Sequence, residues 1–230
     1  MEEVPNKEYT MSKAKGISIA YNMVTFIFLA FIVAENSKPL VAFLISYVLL
    51  GIGLMLFSKG SIKFVSNSKK SKAGFTMMGI FFSSFILLLK SFGYTLTSND
   101  GLWPPFLIIT VVIFITIYLC GINKPIGTIV GQVTIMLIVS FILGLAITRQ
   151  ANCLFDNSLP QLIHATVESK WVEHSKGTHY HLKLTSWDSN PSPKDIEVSD
   201  TTYAKYFSGN TIDVDLKTGL LEIPWFYLHY

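Results

Sequence analysis

Charge is scarce in this chain of 230 residues: 14% are Asp, Glu, Lys or Arg, against about 25% in an ordinary soluble domain. With 50% hydrophobic residues and a mean hydropathy of +0.46, the composition argues against a soluble class and for a membrane class. Cysteine is scarce too. The two thiols, Cys120 and Cys153, form neither a disulfide framework nor a zinc spacing. The topology derived below puts them on opposite sides of a bilayer, so no disulfide between them is expected. No Asn-x-Ser/Thr acceptor occurs. No serine elbow, HExxH helix, phosphate loop or paired-carboxylate context occurs either. The sequence therefore names no catalytic residue, no cofactor-binding residue and no metal ligand, and the expected protein is not an enzyme.

What is present is long apolar runs. A spanning helix needs about 20 mostly apolar residues, because roughly 30 Å of hydrocarbon is crossed at 1.5 Å per residue. Residues 17–34, 39–57, 74–92, 102–120 and 126–148 meet this. The runs are continuous rather than alternating, so helices rather than barrel strands are expected. Pro39, Pro104–Pro105 and Pro125 open three of them, where a missing N–H is not needed. Asn99 or Asp100 is placed to cap the fourth helix and Asn123 the fifth. Tyr94, Trp103 and Tyr118 lie near run ends, at headgroup depth. The first run is longer than the apolar core of a signal peptide, about 7–15 residues. Its leader, residues 1–16, mixes acids with bases, so a retained helix is expected.

Orientation follows from the lysines. Residues 58–73 carry five of them, Lys59, Lys63, Lys69, Lys70 and Lys72. The leader adds Lys7, Lys13 and Lys15, and the fourth-to-fifth turn adds Lys124. With five spans these all fall on one side, which places the N-terminus in the cytoplasm and the C-terminal domain outside it. The lysine loop is read as a topology determinant rather than as a lipid-binding cluster.

Apart from Lys90 near an end, no span holds an ionisable side chain, which argues against proton relays and gating charges. Asn22, Ser46, Ser83, Ser84, Gln132, Thr134 and Ser140 are polar and uncharged, and are read as hydrogen-bonding glue between helices. Gly127 and Gly131 form a GxxxG face on the fifth helix, and Ser140 with Gly144 a second small face about 220° away. Close packing on two sides would place this helix centrally, with Gly79–Ser83 and Ala42–Ser46 serving similarly. Gly127 and Gly131 are also the residues expected in any homo-oligomer.

Past residue 150 the net charge turns from +7 to −4, and from residue 159 the pattern alternates with period two. Residues 165–174 and 178–187 read as a hairpin closed at Gly177. Tyr180, Leu182 and Leu184 share one face, and His179, His181, Lys183 and Thr185 the other. Ile196 and Val198 mark a third strand, and Asp200 caps a helical turn reaching Phe207. Residues 211–216 form a fourth strand, with Ile212, Val214 and Leu216 inward and Asp213 and Asp215 outward. Residues 220–228 form the last. Five short strands predict a small barrel-like or curled sheet over 159–230. His179 and His181, with His174 across the turn, are read as a solvated face rather than a metal site. The acidic balance argues against nucleic acid.

Within 165–228, the Gly177 turn, Tyr180-x-Leu182, Val198-Ser199 followed by Tyr203, G-N-T-I-D-V-D-L at 209–216 and G-L-L-E-I-P-W at 219–225 resemble a recurring extracytoplasmic module. It is found on small bacterial multi-pass membrane proteins of unknown function. In that family Gly-Asp often replaces Gly209-Asn210, and glycine often stands where this chain has Glu222. The resemblance implies a location and a fold, and no catalytic residues. The expected protein is a membrane α-helical bundle of about five spans carrying a small all-β domain. It would serve as an accessory or interaction component of the bacterial cytoplasmic membrane, with the bilayer and an envelope protein as partners. A transporter or channel component is the alternative reading, and a lipid- or envelope-modifying enzyme the last.

Overall fold

The structure, a computed structural model, describes residues 7–27, 37–58, 61–65, 74–121, 129–175, 177–185, 187 and 194–229. The chain divides into two compact units. One comprises Met1–Tyr94 with Asn99–Asp156, the other Thr95–Ser98 with Asn157–Tyr230.

The first unit is helical: α1 (Lys7–Ile27), α2 (Lys38–Phe57), α3 (Met77–Ser91), α4 (Trp103–Gly121) and α5 (Ile129–Leu154). Local signals set several ends. The Ser37 hydroxyl accepts the Leu40 N–H at 3.4 Å and Pro39 sits in the first turn of α2. A 3-10 turn at Asp100–Leu102 leads into α4, and no side-chain cap forms at Asn99. The expected capping role is thus not taken by Asn99 at this turn. Asn123 and Pro125 lie outside the described residues. Helix α1 begins at Lys7 rather than at residue 17, so the expected leader is largely helical.

Among the described residues three helices are long and apolar enough to cross a membrane: Lys38–Phe57, Asp100–Cys120 and Ile129–Leu154. Helix α3 is apolar but has 15 residues, a length of about 22 Å. The run at 74–92 yields a shorter helix because β1 (Ile62–Lys63) and β2 (Gly74–Phe75) pair in parallel ahead of it. Helix α3 packs against α1, α2 and α5, while α5 packs against α3 and α4. Central position is thus shared by α3 and α5. Val41, Leu44, Ile80, Ile86, Leu87, Met136 and Val139 are buried in the core. The outer face of α4 is a stripe of Leu107, Ile108, Val111, Val112, Ile115 and Leu119, all exposed, at helical spacing.

The second unit is an antiparallel sheet of six strands, ordered β3-β8-β7-β4-β5-β6. The strands are β3 (Thr95–Leu96), β4 (Gln161–His174), β5 (Thr178–Leu184), β6 (Lys194–Val198), β7 (Thr211–Lys217) and β8 (Trp225–Leu228). The first half of β4 pairs with β7 and the second half with β5. A register shift between Val167 and Ser169 marks the exchange. Such a bulge bends a strand and increases its twist, and the sheet curls into a half-barrel. Ala165, Val167, Leu182, Leu184, Ile196, Ile212, Val214, Phe226 and Leu228 fill its concave side, as period-two alternation requires. The sixth strand, β3, comes from the α3–α4 connection, whereas the sequence pattern predicts five strands, all within 159–230.

Two local expectations are corrected here. Ser199, not Asp200, caps α6 (Asp200–Lys205), its hydroxyl accepting the Thr202 N–H at 3.2 Å. Residues 219–222 form a turn rather than strand, with Gly219 at φ 80° and Glu222 at φ 59°. The last strand is confined to Trp225–Leu228.

Candidate functional site

The helical unit concentrates its polar groups at the two ends of α3. The first four N–H groups of a helix have no internal partner. Asn22 of α1 serves one of them: its Oδ1 accepts the Gly79 N–H at 2.9 Å. Its Nδ2 donates to the Phe75 carbonyl at 2.6 Å and to the Ser18 carbonyl at 2.8 Å. One turn away, Tyr21 and Tyr47 stack at 4.4 Å, inclined by 6°. Each phenol donates to the other's backbone carbonyl, and Thr25 lies 3.2 Å from the Tyr47 hydroxyl. The Tyr21 ring fits only because two facing positions are glycine. A Cβ at Gly79 would meet Tyr21 Cε1 at 2.1 Å, and one at Gly51 would meet its hydroxyl oxygen at 2.3 Å.

The other end of α3 is held by Arg149, the chain's sole arginine. Its Nε donates to the Ser91 carbonyl at 3.2 Å and Nη2 to the Tyr94 carbonyl at 2.7 Å. Its guanidinium lies 5.2 Å from the Phe92 ring centre. A cation at a helix C-terminus is favoured by the helix dipole as well as by these bonds. Gln150 donates to the Leu87 carbonyl at 3.4 Å.

Gln132 is buried, and the other uncharged polar residues separate into three kinds. Ser84 donates within its own helix to Ile80. Ser46 and Thr134 are exposed, and Ala42 is exposed beside Ser46, so that pair is not a packing face among the described residues. The Ser83 and Ser140 hydroxyls are buried and find no hydrogen-bond partner among the described residues, and neither does the Thr110 hydroxyl. The Ser140–Gly144 face is in use: a Cβ at Gly144 would meet Thr110 Oγ1 of α4 at 2.1 Å. Gly131 is open, with nothing within 4 Å of a Cβ. Gly127 lies outside the described residues. Cys120 and Cys153 are both free thiols.

On the β unit the histidines pair with carboxylates on neighbouring strands. His179 Nδ1 donates to Glu197 at 2.7 Å, His164 Nδ1 to Asp213 at 2.6 Å, and His229 Nδ1 to Asp215 at 2.7 Å. His181 stacks on Trp171 at 5.1 Å and lies 3.9 Å from Glu173. The hydrogen bond to Glu197 and its charge raise the His179 pKa, and the same contact lowers that of Glu197. Asp215 raises His229 in the same way. Burial, followed by the Asp215 charge, raises the Tyr227 phenol. Asp215 itself is buried, which corrects its expected place on an open outer face. Among the described residues no three metal-ligating side chains come together.

Sequence reading singled out Asn22 but missed its partners. It singles out neither Arg149 nor Tyr21 and Tyr47. The signal for the latter is two glycines on different helices, which a linear sequence does not link. Comparisons with protein-family models, curated proteins and solved structures find no match.

Proposed function

We propose that this chain is an integral protein of the bacterial cytoplasmic membrane that crosses it five times, N-terminus inside. In this reading it holds the β unit outside the cytoplasm as a docking module for an envelope protein, in a non-enzymatic role. The supporting observation is a curled sheet with its own core in a chain whose helices expose apolar stripes. Contiguous apolar surface of that extent suits lipid contact rather than water. The sheet order ends at β6, which offers a partner an edge for strand addition. Asp195 and Glu197 on that strand are exposed and discourage indiscriminate pairing. The open Gly131 face suits self-association.

Topology and partner are tested in the full chain. Reporters active on one side only, placed after Tyr230 and within 66–73, should read outside and inside respectively. A photo-crosslinker at position 195 or 197 should capture one defined envelope protein. Reporters that both read inside, or no defined adduct, sink the reading. A second reading, a transporter or channel component, is favoured by the unpaired Ser83, Thr110 and Ser140 hydroxyls. It requires solute flux in vesicles that falls on Ser83→Ala with Ser140→Ala.

A further inference from the structure

Helices α1 and α2, together with the segment entering β1, enclose an open groove of about 550 Å³, a volume within the range of small-molecule sites, roughly 300–1,000 Å³. Its walls are apolar: Ile17 of α1, Leu50, Leu54 and Phe57 of α2, and Ile62 of β1. Ile17, Leu50 and Phe57 are exposed, so the groove opens outward from the helical unit rather than into its core. Gly53 forms part of the floor, and a Cβ there would meet nothing nearer than the Phe57 ring at 4.0 Å. At one end stands Lys13, exposed on α1.

Lys13 is the one charged side chain among the described residues that line the groove, and Glu8 also lies on α1. Lys15 follows on α1, Lys63 adjoins Ile62, and the sequence adds Lys59, Lys69, Lys70 and Lys72 in the same connection. Among the described residues no carboxylate lines the groove. Asp100 and Asp156 belong to the other end of the helices, where α4 starts and α5 stops. An apolar trough ending in an ammonium group is complementary to an acyl chain ending in a phosphate.

We infer that the α1–α2 groove binds one anionic phospholipid, with an acyl chain along Ile17, Leu50, Leu54 and Phe57 and the headgroup phosphate at Lys13. The inference rests on the membrane reading above. It makes the lysine-rich side of the protein a specific lipid site as well as a topology signal.

The test is native mass spectrometry of the full chain in a neutral detergent, titrated with phosphatidylglycerol or phosphatidylcholine of the same acyl chains. One phosphatidylglycerol should bind in preference. Lys13→Gln, an exposed change that disturbs no packing, should weaken phosphatidylglycerol about fivefold and leave phosphatidylcholine unchanged. Gly53→Phe should fill the trough and reduce both lipids to background. Equal binding of the two lipids by the unaltered chain overturns the inference. So does wild-type binding by either variant. Loss of preference in Lys69→Gln, Lys70→Gln, Lys72→Gln but not in Lys13→Gln overturns it as well, since the loop then carries the charge. Alkaline carbonate extraction of cell membranes separates the two readings. A chain released by carbonate removes the membrane reading and this site with it. A chain retained but indifferent to both substitutions removes this site alone.

Discussion

Replacing Asn22 by leucine keeps the volume and removes the polar clamp at the start of α3. The Gly79 N–H and the Phe75 carbonyl then lose a side-chain partner at 2.9 and 2.6 Å. The Ser18 carbonyl loses less, since it also faces its own helix. Interhelical hydrogen bonds in membranes contribute about 0.6 kcal/mol on average and up to about 1.7. Two of them put the cost of Asn22→Leu at about 1–3 kcal/mol. Asn22→Asp retains an acceptor for Gly79 N–H at the positive end of the α3 dipole and should cost about half as much. The assay is reversible unfolding of the full chain in mixed micelles, with Ser46→Leu, at an exposed position, as control. If Asn22→Leu unfolds within 0.5 kcal/mol of the control, a margin of roughly the smallest single bond considered, the clamp is not structural. A solute flux lost in Asn22→Leu at unchanged stability would refute the argument more directly and favour the transporter reading.

Four further outcomes follow from the geometry. Gly79→Ala drives a Cβ to 2.1 Å from Tyr21 and should lower stability by about 1–3 kcal/mol, visible as a lower Tm in detergent, whereas Gly131→Ala, with open space around it, should not. Arg149→Met takes charged donors from the Ser91 and Tyr94 carbonyls and should cost about 2–3 kcal/mol; Arg149→Lys, which cannot form the fork, should recover less than half by the same unfolding assay. Glu222 sits at φ 59°, where a non-glycine residue loses roughly 1–2 kcal/mol, so Glu222→Gly should hold or raise stability and Glu222→Val should lower it. The raised pKa values of His179 and His229 give stability that is complete below the unfolded value, about 6.5, and is lost as pH rises through the folded one. Glu197 is lowered, so its share is present above the ordinary carboxylate range and is lost as pH falls through its folded value. Imidazole titration by NMR should show both histidines moving back toward the ordinary range in Glu197→Gln and Asp215→Asn respectively.

Much of the β unit was legible because period-two alternation specifies which side chains face inward. Ile212 and Val214 read as inward and Leu182 and Leu184 as sharing one face, and all four lie in the core. The sixth strand was not legible. Thr95–Leu96 is two residues long, too short for any periodicity, and its partner Trp225–Phe226 lies far along the chain. The bulge in β4 was hidden for a similar reason, since one extra residue leaves the apolar count nearly unchanged. In the helical unit hydropathy located the runs but not the polar clamps. A lone asparagine or arginine has no period, and its role depends on which helix end it meets. Glu222 shows the opposite case. Its backbone conformation, φ 59°, is set by the turn that follows Gly219.

The pairing of β3 with β8 also bears on the count of spans, independently of hydropathy. One sheet cannot have strands on both sides of a bilayer, because its ladder of backbone hydrogen bonds would have to pass through lipid. Thr95–Leu96 and Trp225–Phe226 are hydrogen-bonded neighbours, so residue 95 and the C-terminal strands lie on the same side. The chain between them contains α4 and α5 and must return to the side it left. If those helices enter a membrane, they cross as a pair or turn back as a pair; one crossing with one re-entrant loop is excluded. Both α4, with its leading turn, and α5 are long enough to cross, so within a membrane the pair has the length of a full hairpin. The parity of the whole chain therefore rests on α1, α2 and α3. Of these, α3 is the short one, at 15 residues. Its end groups would lie nearer the hydrocarbon than those of a full-length span, where unpaired backbone costs most. Asn22 and Arg149 stand at those two ends and satisfy backbone groups there, as a helix this short would require if it crosses a membrane.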